Sequence, residues 1–219
     1  MSIHNIAAVI FDMDGVIFDS ERLALSCWEE LGERWGLEDI RDTYVLCVGV
    51  TETVSRQVFL ERYGESFEYE RFWREFKELA RERIERDGLP VKKGARAILS
   101  ALRERGVPTA LASSTKSETV LREIEEAGLS GYFDAIIGGD MISRSKPEPD
   151  IFLTAAERLG VRAENCCVIE DSYNGIRAAY RAGMIPVMVP DMLPPTDEMR
   201  ALAAAVLPDL NEAADLILQ

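Results

Sequence analysis

The chain has 219 residues, of which 47% are hydrophobic, and 39 Asp and Glu against 25 Lys and Arg give it a formal net charge of -14. This length and hydrophobic content predict one large domain, or a domain with an insertion, around a substantial core. The negative charge disfavours nucleic acid and anionic membranes as partners, because both would be repelled.

The cysteines and the apolar segments indicate the compartment. Cys27, Cys47, Cys166 and Cys167 show no C-x-x-C spacing and lie in apolar surroundings, so we expect reduced thiols in the core. No stretch approaches about eighteen apolar residues, and the N-terminus does not resemble a signal segment. A cytoplasmic protein is therefore expected, with a monomer as the working assumption because the sequence leaves the oligomeric state open.

The first apolar run, residues 6–11, predicts a buried strand of a parallel sheet, and it leads directly into Asp12-Met13-Asp14-Gly15. Side chains alternate along a strand, so Asp12 and Asp14 should leave on the same side, about 6–7 Å apart, while Gly15 allows a sharp turn. The pair could surround one metal ion or one reacting group. A calcium-binding EF-hand loop is disfavoured, because apolar residues follow where further oxygen ligands would be needed.

A helical region follows. Apolar residues recur at spacings of three and four from Leu23 to Trp35, and Gly36 ends the pattern. Four amphipathic helices are predicted at about residues 20–35, 39–48, 52–63 and 69–87. Val54, Val58 and Phe59 should form the inner face of the third. The charged residues 71–86 should form a solvated face with ion pairs rather than a nucleic-acid surface, because acids are interleaved throughout.

From Pro90 onward, strands and helices alternate, which predicts a parallel sheet. The predicted strands are 109–112, 135–137, 166–169 and 186–189, the helices are 95–105, 117–127, 151–159 and 175–182, and a weaker pair follows. The first strand needs neighbours in this sheet. We therefore expect an α/β core made of residues 1–19 and 89–219, with residues 20–88 as a helical insertion.

Polar residues follow the strands of this core. The second strand ends at Ser113 and Ser114, Lys146 comes after the third, and Glu170-Asp171 follow the fourth. Because the carboxyl ends of parallel strands meet at one edge, these groups should converge with Asp12 and Asp14.

The number of acidic residues at this edge indicates which chemistry it can support. Carboxylates in one cleft repel one another by about 4 kcal/mol per pair at an effective dielectric near 20, so a cation is required, and oxygen ligands suit Mg²⁺. With Lys146 and Ser113 added, the site should attract a phosphate dianion. Asp12 is then a candidate nucleophile that forms an aspartyl-phosphate, and Asp14 a candidate acid and base. A two-component receiver domain is the non-enzymatic rival, but it lacks a helical insertion and orders its acids differently.

These motifs resemble those of the haloacid dehalogenase superfamily, in particular the branch of helical-cap phosphatases and β-phosphoglucomutases. The first motif matches residues 12–16, the second Ser113, the third Lys146 and the fourth residues 170–172. The resemblance covers nearly the whole chain. It implies an α/β fold with a Rossmann-like parallel sheet core and an inserted α-helical cap.

The resemblance also implies roles. Asp12 would be the nucleophile and a metal ligand, and Asp14 the acid and base that offers its backbone carbonyl to Mg²⁺. Asp171 would be a further ligand, with Glu170 in support. Ser113 and Lys146 would hold the phosphoryl group. The expected activity is Mg²⁺-dependent hydrolysis of a small phosphorylated metabolite, a sugar phosphate or a similar monoester.

Two positions of the predicted cap help to distinguish a phosphatase from a phosphosugar mutase. The β-phosphoglucomutases that the chain resembles have a His on the first cap helix and an Arg in the following loop, where this chain has Ala24 and Glu52. An acid at that position would repel a second phosphate, which favours hydrolysis. The only histidine, His4, lies on the N-terminal tail and is not expected to act.

The sequence also indicates which residues could select the substrate. We expect Ser114, Lys116, Gly49 and Glu52 to contact the leaving group. A regulator that only binds phosphoesters is the remaining alternative. Against that alternative, every motif residue that turnover requires is present.

Overall fold

The computed structural model describes residues 6–218 and divides into two compact units. One unit contains the chain up to Asp19 together with the chain from Val91 onward, and the other is Ser20–Pro90. The second unit thus ends two residues beyond the expected position, 88. Gly88 ends the last helix of this unit with φ 76°, and Val91 is the residue that pairs with Phe18 of the core. His4 lies outside the described residues.

The helical unit contains four helices. They are Ser20–Trp35 (α1), Ile40–Cys47 (α2), Glu52–Tyr63 (α3) and Tyr69–Asp87 (α4). Trp28, only 2% exposed, packs edge-to-face against the rings of Tyr44 and Phe72, which gives the unit an aromatic core. The prediction that Val54 faces inward was wrong, because it is 47% exposed. The buried stripe of α3 starts one residue later, at Ser55, and continues one helical turn on at Phe59.

The core unit is built on a six-stranded sheet. Its strands are Ala8–Phe11 (β1), Thr109–Ala112 (β2), Ala135–Ile137 (β3), Cys166–Glu170 (β4), Ile185–Met188 (β5) and Ala205–Val206 (β6). All strand pairs are parallel, and the order is β3-β2-β1-β4-β5-β6. The predicted fold class, a Rossmann-like parallel sheet with an inserted helical unit, is confirmed.

In the described part of this unit, six α-helices accompany the sheet. They are Ala95–Glu104 (α5), Ser117–Glu126 (α6), Asp150–Leu159 (α7), Tyr173–Arg181 (α8), Asp197–Leu202 (α9) and Leu210–Ile217 (α10). One face of the sheet, including Ile10 and Val168, packs against Phe152 of α7 and Ala178 of α8 in a fully buried cluster. Within residues 6–218, no helix combines the length and apolar composition that crossing a bilayer would require.

The sheet register places the carboxyl ends of three strands side by side. Phe11 is paired with Leu111 on one side and with Ile169 on the other. The next residues along the chain, Asp12, Ala112 and Glu170, therefore lie side by side at the carboxyl edge. Strand order also reverses at β1, and open α/β sheets bind their ligands at such a switch point.

Candidate active site

The loop after β1 carries the two aspartates. The amide of Asp12 donates to the carbonyl of Ile169 at 3.0 Å, which extends the sheet by one bond. The chain then turns, and the amides of Ile17 and Phe18 both donate to the carbonyl of Met13 at 2.9 Å. Because β1 ends at Phe11, this turn, rather than strand alternation, determines the position of Asp14, which is partly exposed.

Gly15 brings this turn against Asp171. Its φ is 76°, a left-handed conformation that side chains disfavour. A β-carbon at Gly15 would lie 2.4 Å from Oδ2 of Asp171, closer than atoms can approach. The glycine therefore allows both the turn and the approach of the Asp171 carboxylate.

Lys146 links three strand ends. Its Nζ forms an ion pair with Oδ1 of Asp12 and donates to Oε1 of Glu170 at 2.8 Å and to the carbonyl of Ala112 at 3.4 Å. Its side chain is 8% exposed, and Nζ also lies 4.9 Å from the ring centre of Phe152. A single buried cation thus contacts the ends of β1, β2 and β4.

Glu170 is completely buried and held at both oxygens. Oε1 accepts from Lys146, and Oε2 accepts from the amide of Ser172 at 2.7 Å. A β-carbon at Gly175 would lie 1.7 Å from Oε1 of this carboxylate. Gly175 is a residue whose role the sequence reasoning missed, and a glycine in the first turn of a helix was the available signal, because glycine is otherwise disfavoured there.

Burial and charge shift the pKa values of this cluster. Burial raises the pKa of Asp12 well above its usual range, with the Lys146 charge acting against that shift and the charges of Glu170 and Asp14 adding to it. Burial alone would lower the pKa of Lys146, but the neighbouring charges of Asp12 and Glu170 outweigh it and raise that pKa. Lys146 therefore stays protonated. A second cation would favour the ionised form of Asp12.

The acids of this edge form a possible metal site. Carboxylate oxygens of Asp12, Glu170 and Asp171 lie within 4.8 Å of one another. All three donors are oxygen atoms, which suits Mg²⁺ rather than softer metals. The donor set of three carboxylates therefore fits a divalent ion of this kind.

The remaining predicted core residues lie at the end of β2. Ser113 is buried, its amide donates to the carbonyl of Ile137 at 3.0 Å, and its Oγ accepts from the amide of Thr115 at 3.1 Å. Ser114 and Lys116 are exposed. These residues follow Ala112, whose carbonyl contacts Lys146, so Ser113 belongs to the same edge of the sheet.

The predicted substrate residues of the helical unit lie in the loop after α2 and at the start of α3. Gly49 is exposed and has φ 71°, and Glu52 is the exposed first residue of α3. The Glu52 carboxylate forms a long ion pair, 4.0 Å, with Nζ of Lys77. A contact of Gly49 or Glu52 with substrate stays a prediction.

Glu123 of α6 is a further acid that the sequence reasoning missed. Burial raises its pKa to about 7, and the charge of Asp14 adds to the shift. No local signal distinguishes this glutamate from the other acids of α6, because its surroundings come from distant parts of the chain.

Carboxylates around a buried lysine, at the switch point of a parallel sheet, form a site of the kind in which open α/β sheets bind their ligands. The family model described as haloacid dehalogenase-like hydrolase matches residues 6–183. The chain belongs to this family.

Comparison with known proteins agrees with this assignment. The chain is 33% identical over 177 residues to the phosphorylated carbohydrates phosphatase of Thermotoga maritima, covering 81% of this chain and 82% of that protein. It is 32% identical over 192 residues to β-phosphoglucomutase of Bacillus subtilis, covering 83% and 82% respectively. A crystal structure of a family member from Deinococcus radiodurans, with bound phosphate and sodium, superposes with a TM-score of 0.80 at 28% identity and 97% coverage of both chains. The predicted class, a phosphatase of this family, is confirmed.

Proposed function

We propose that the protein is a Mg²⁺-dependent phosphatase that hydrolyses a small phosphorylated metabolite through an aspartyl-phosphate on Asp12. The observation that carries this proposal is the contact of Lys146 with both Asp12 and Glu170, beside the Asp171 carboxylate. A sugar phosphate or a similar monoester is the proposed substrate. The carbohydrate-phosphate activity named for the Thermotoga maritima relative supports this choice.

The proposed metal ligands are the carboxylates of Asp12, Glu170 and Asp171, with the backbone carbonyl of Asp14. When bound, Mg²⁺ supplies positive charge that neutralises the carboxylates and draws electron density from the phosphoryl oxygens. Lys146 supplies a second, permanent positive charge at the same edge. With the Ser113 hydroxyl, it would orient the phosphoryl group.

The proposed reaction has two steps. In the first, an oxygen of Asp12 bonds to phosphorus while the bond to the ester oxygen breaks, and Asp14 gives that oxygen a proton. In the second, Asp14 takes a proton from water, the water oxygen bonds to phosphorus, and the bond to Asp12 breaks. The products are the alcohol and inorganic phosphate, and both aspartates return to their starting states.

Glu52 favours hydrolysis over the mutase alternative. A mutase must hold a second phosphate of its bisphosphorylated intermediate, whereas Glu52 places an exposed negative charge at the start of α3. The measurement is the conversion of β-glucose 1-phosphate to glucose 6-phosphate with glucose 1,6-bisphosphate added. Efficient isomerisation would reject the phosphatase in favour of the mutase.

The decisive experiment is release of inorganic phosphate from a panel of phosphorylated metabolites, with Mg²⁺ and with a chelator. We expect Mg²⁺-dependent release that Asp12→Asn abolishes and that the exposed control Asp197→Asn leaves unchanged. The best substrate of the panel then identifies the leaving group. No release from any ester would favour a binding protein instead.

We also propose a monomeric, cytoplasmic protein. The four cysteines are free, and Cys27, Cys166 and Cys167 are buried, which supports a reducing compartment. Light scattering in solution tests the assembly state, and a mass of twice 24.5 kDa would reject the monomer.

A further inference from the structure

The helix that follows the Ser113 loop lacks a cap of its own. Its N-cap position is Lys116, whose side chain makes no capping hydrogen bond. A carboxylate from another segment takes that place. Oδ1 of Asp140 accepts from the amide of Ser117 at 2.7 Å and from the hydroxyl of Ser117 at 2.6 Å. Asp140 therefore caps α6 across a separation of 23 residues.

The backbone beside Asp140 reinforces this contact. The amide of Gly139 donates to the carbonyl of Thr115 at 2.8 Å. A β-carbon at Gly139 would lie 2.2 Å from the Ser114 carbonyl oxygen, and one at Gly138 would lie 2.5 Å from the Ser117 amide nitrogen. The segment after β3 thus packs backbone against backbone along residues 114–117, which only glycine allows at these positions.

The loop that packs against Gly138, Gly139 and Asp140 begins at Ser113. Ser113 is also bonded to β3, because its amide donates to the carbonyl of Ile137, the last residue of that strand. Its Oγ also accepts from the amide of Thr115, whose carbonyl in turn accepts from Gly139. The position of the Ser113 hydroxyl therefore depends on the same segment that carries Asp140.

We propose that Asp140 is a positioning residue for phosphate binding, which holds the loop of residues 113–117 in the conformation that receives the phosphoryl group. This inference rests on the proposed function, because it takes Ser113 as a phosphate ligand. Asp140 does not itself touch the substrate. It acts through Ser117 and, with Gly139, through Thr115.

The charge state of Asp140 suits this role. The hydrogen bonds from Ser117 lower the pKa of Asp140, so the carboxylate stays ionised across the neutral range. The ionised carboxylate of Asp140 is also stabilised by the positive end of the α6 helix dipole. The same contact keeps the Ser117 amide engaged, so the phosphoryl group must be bound by other donors of the loop.

The test compares Asp140→Ala and Asp140→Asn with wild type in the full-length chain. The first readout is the affinity for inorganic phosphate with Mg²⁺ present, measured by calorimetry. Asp140→Ala should weaken phosphate binding about five-fold, which corresponds to the free energy of a lost helix cap. Asp140→Asn keeps a side-chain oxygen that accepts hydrogen bonds, so its affinity should stay within about two-fold of wild type. The second readout is amide hydrogen exchange, which should accelerate at residues 114–118 in Asp140→Ala.

Steady-state kinetics on the best ester of the panel add a third readout. A positioning role in binding the phosphoryl group predicts a KM raised about five-fold in Asp140→Ala, with kcat within about two-fold of wild type. A loss confined to kcat would overturn the proposal. So would an Asp140→Asn variant as impaired as Asp140→Ala, because the hydrogen bonds could then not be the cause.

The matched control is Asp209→Ala. Asp209 also caps a helix through an exposed carboxylate, with its Oδ1 accepting from the amides of Asn211 at 2.8 Å and Glu212 at 3.1 Å. It should lose similar stability with unchanged phosphate affinity. Equal losses of affinity in both variants would overturn the positioning role. Wild-type affinity for phosphate without release from any ester would instead reject the proposed hydrolysis alone, since Asp140→Ala would still weaken phosphate binding.

Discussion

The carboxylate of Glu170 occupies the space in which a β-carbon of Gly175 would lie, with Oε1 of Glu170 only 1.7 Å from that position. The fully buried acid therefore packs directly on the backbone of α8. The same oxygen accepts from Lys146, so the glycine determines how deep the ion pair can lie.

Gly175→Ala tests this relationship. Alanine in a helix is normally about 1 kcal/mol more favourable than glycine, so a stabilised variant is the ordinary expectation. Here the methyl group must displace Glu170, and we expect a loss of about 1–3 kcal/mol in the free energy of unfolding and a fall of about 100-fold or more in kcat/KM. Chemical denaturation and phosphate release measure the two effects. Gly131→Ala is the control, since its β-carbon would meet nothing closer than 3.5 Å, and a Gly175→Ala variant equal to it would contradict the packing argument.

Asp171→Asn tests the metal site without turnover. Wild type in Mg²⁺ at about 100 times the dissociation constant should gain about 2.7 kcal/mol, or roughly 5–10 °C in Tm. The variant should lose most of this gain. Thermal unfolding with Mg²⁺ and with chelator measures both effects, and an equal Mg²⁺ response in the variant would remove Asp171 from the ligand set.

The raised pKa of Glu123 predicts that the free energy of unfolding depends on pH. Its pKa is raised from 4.5 to about 7 in the folded protein, first by burial and then by the charge of Asp14. The folded state therefore binds the proton more tightly, so the contribution of this group is fully present below about pH 4.5 and is lost as the pH rises through 7.

Glu123→Gln should thus be more stable than wild type at pH 8 by about 1–2 kcal/mol, after allowance for partial exposure, and equal to it near pH 4. Denaturant unfolding across this range measures the difference. A constant difference at all pH values would show that the effect is not electrostatic.

The helical unit contains an ion pair that differs from its surface neighbours. Arg83 pairs with Glu30 and donates to Oγ of Ser26 at 2.6 Å, and its side chain is only 20% exposed. A double-mutant cycle with Arg83→Met and Glu30→Gln should give a coupling of about 1 kcal/mol in stability, against about 0.3–0.5 for Arg81 and Glu85, which are 64% and 63% exposed.

The coupling of this pair should also depend on pH. The hydrogen bond from Arg83 lowers the pKa of Glu30 below 4.5, so the coupling should be present at neutral pH and disappear on acidification through that lowered pKa. Repeating the cycle at pH 7 and in acid measures this. Equal coupling energies at both pH values would count against an ionic pair.

Local sequence patterns predicted most of the elements. Strands 109–112 and 135–137 were predicted with the observed bounds, because a short apolar run between turn residues is a local signal. Helix α4 was likewise predicted over its observed extent, as its apolar residues keep a helical spacing between end signals. Where the bounds differ, a local signal was sometimes missed. Helix α8, for example, begins at Tyr173 rather than at 175, because Oγ of Ser172 accepts from the amide of Gly175 at 3.0 Å and caps the helix.

The sequence by itself determined which residues stand at the ends of the strands, and therefore that acids, a lysine and a serine would share one edge of a parallel sheet. Only the tertiary structure decided which of them touch. Lys146 and Asp12 are 134 residues apart, and their ion pair depends on the register that places Phe11 beside Leu111 and Ile169. Such contacts depend on long-range packing, which no local periodicity encodes.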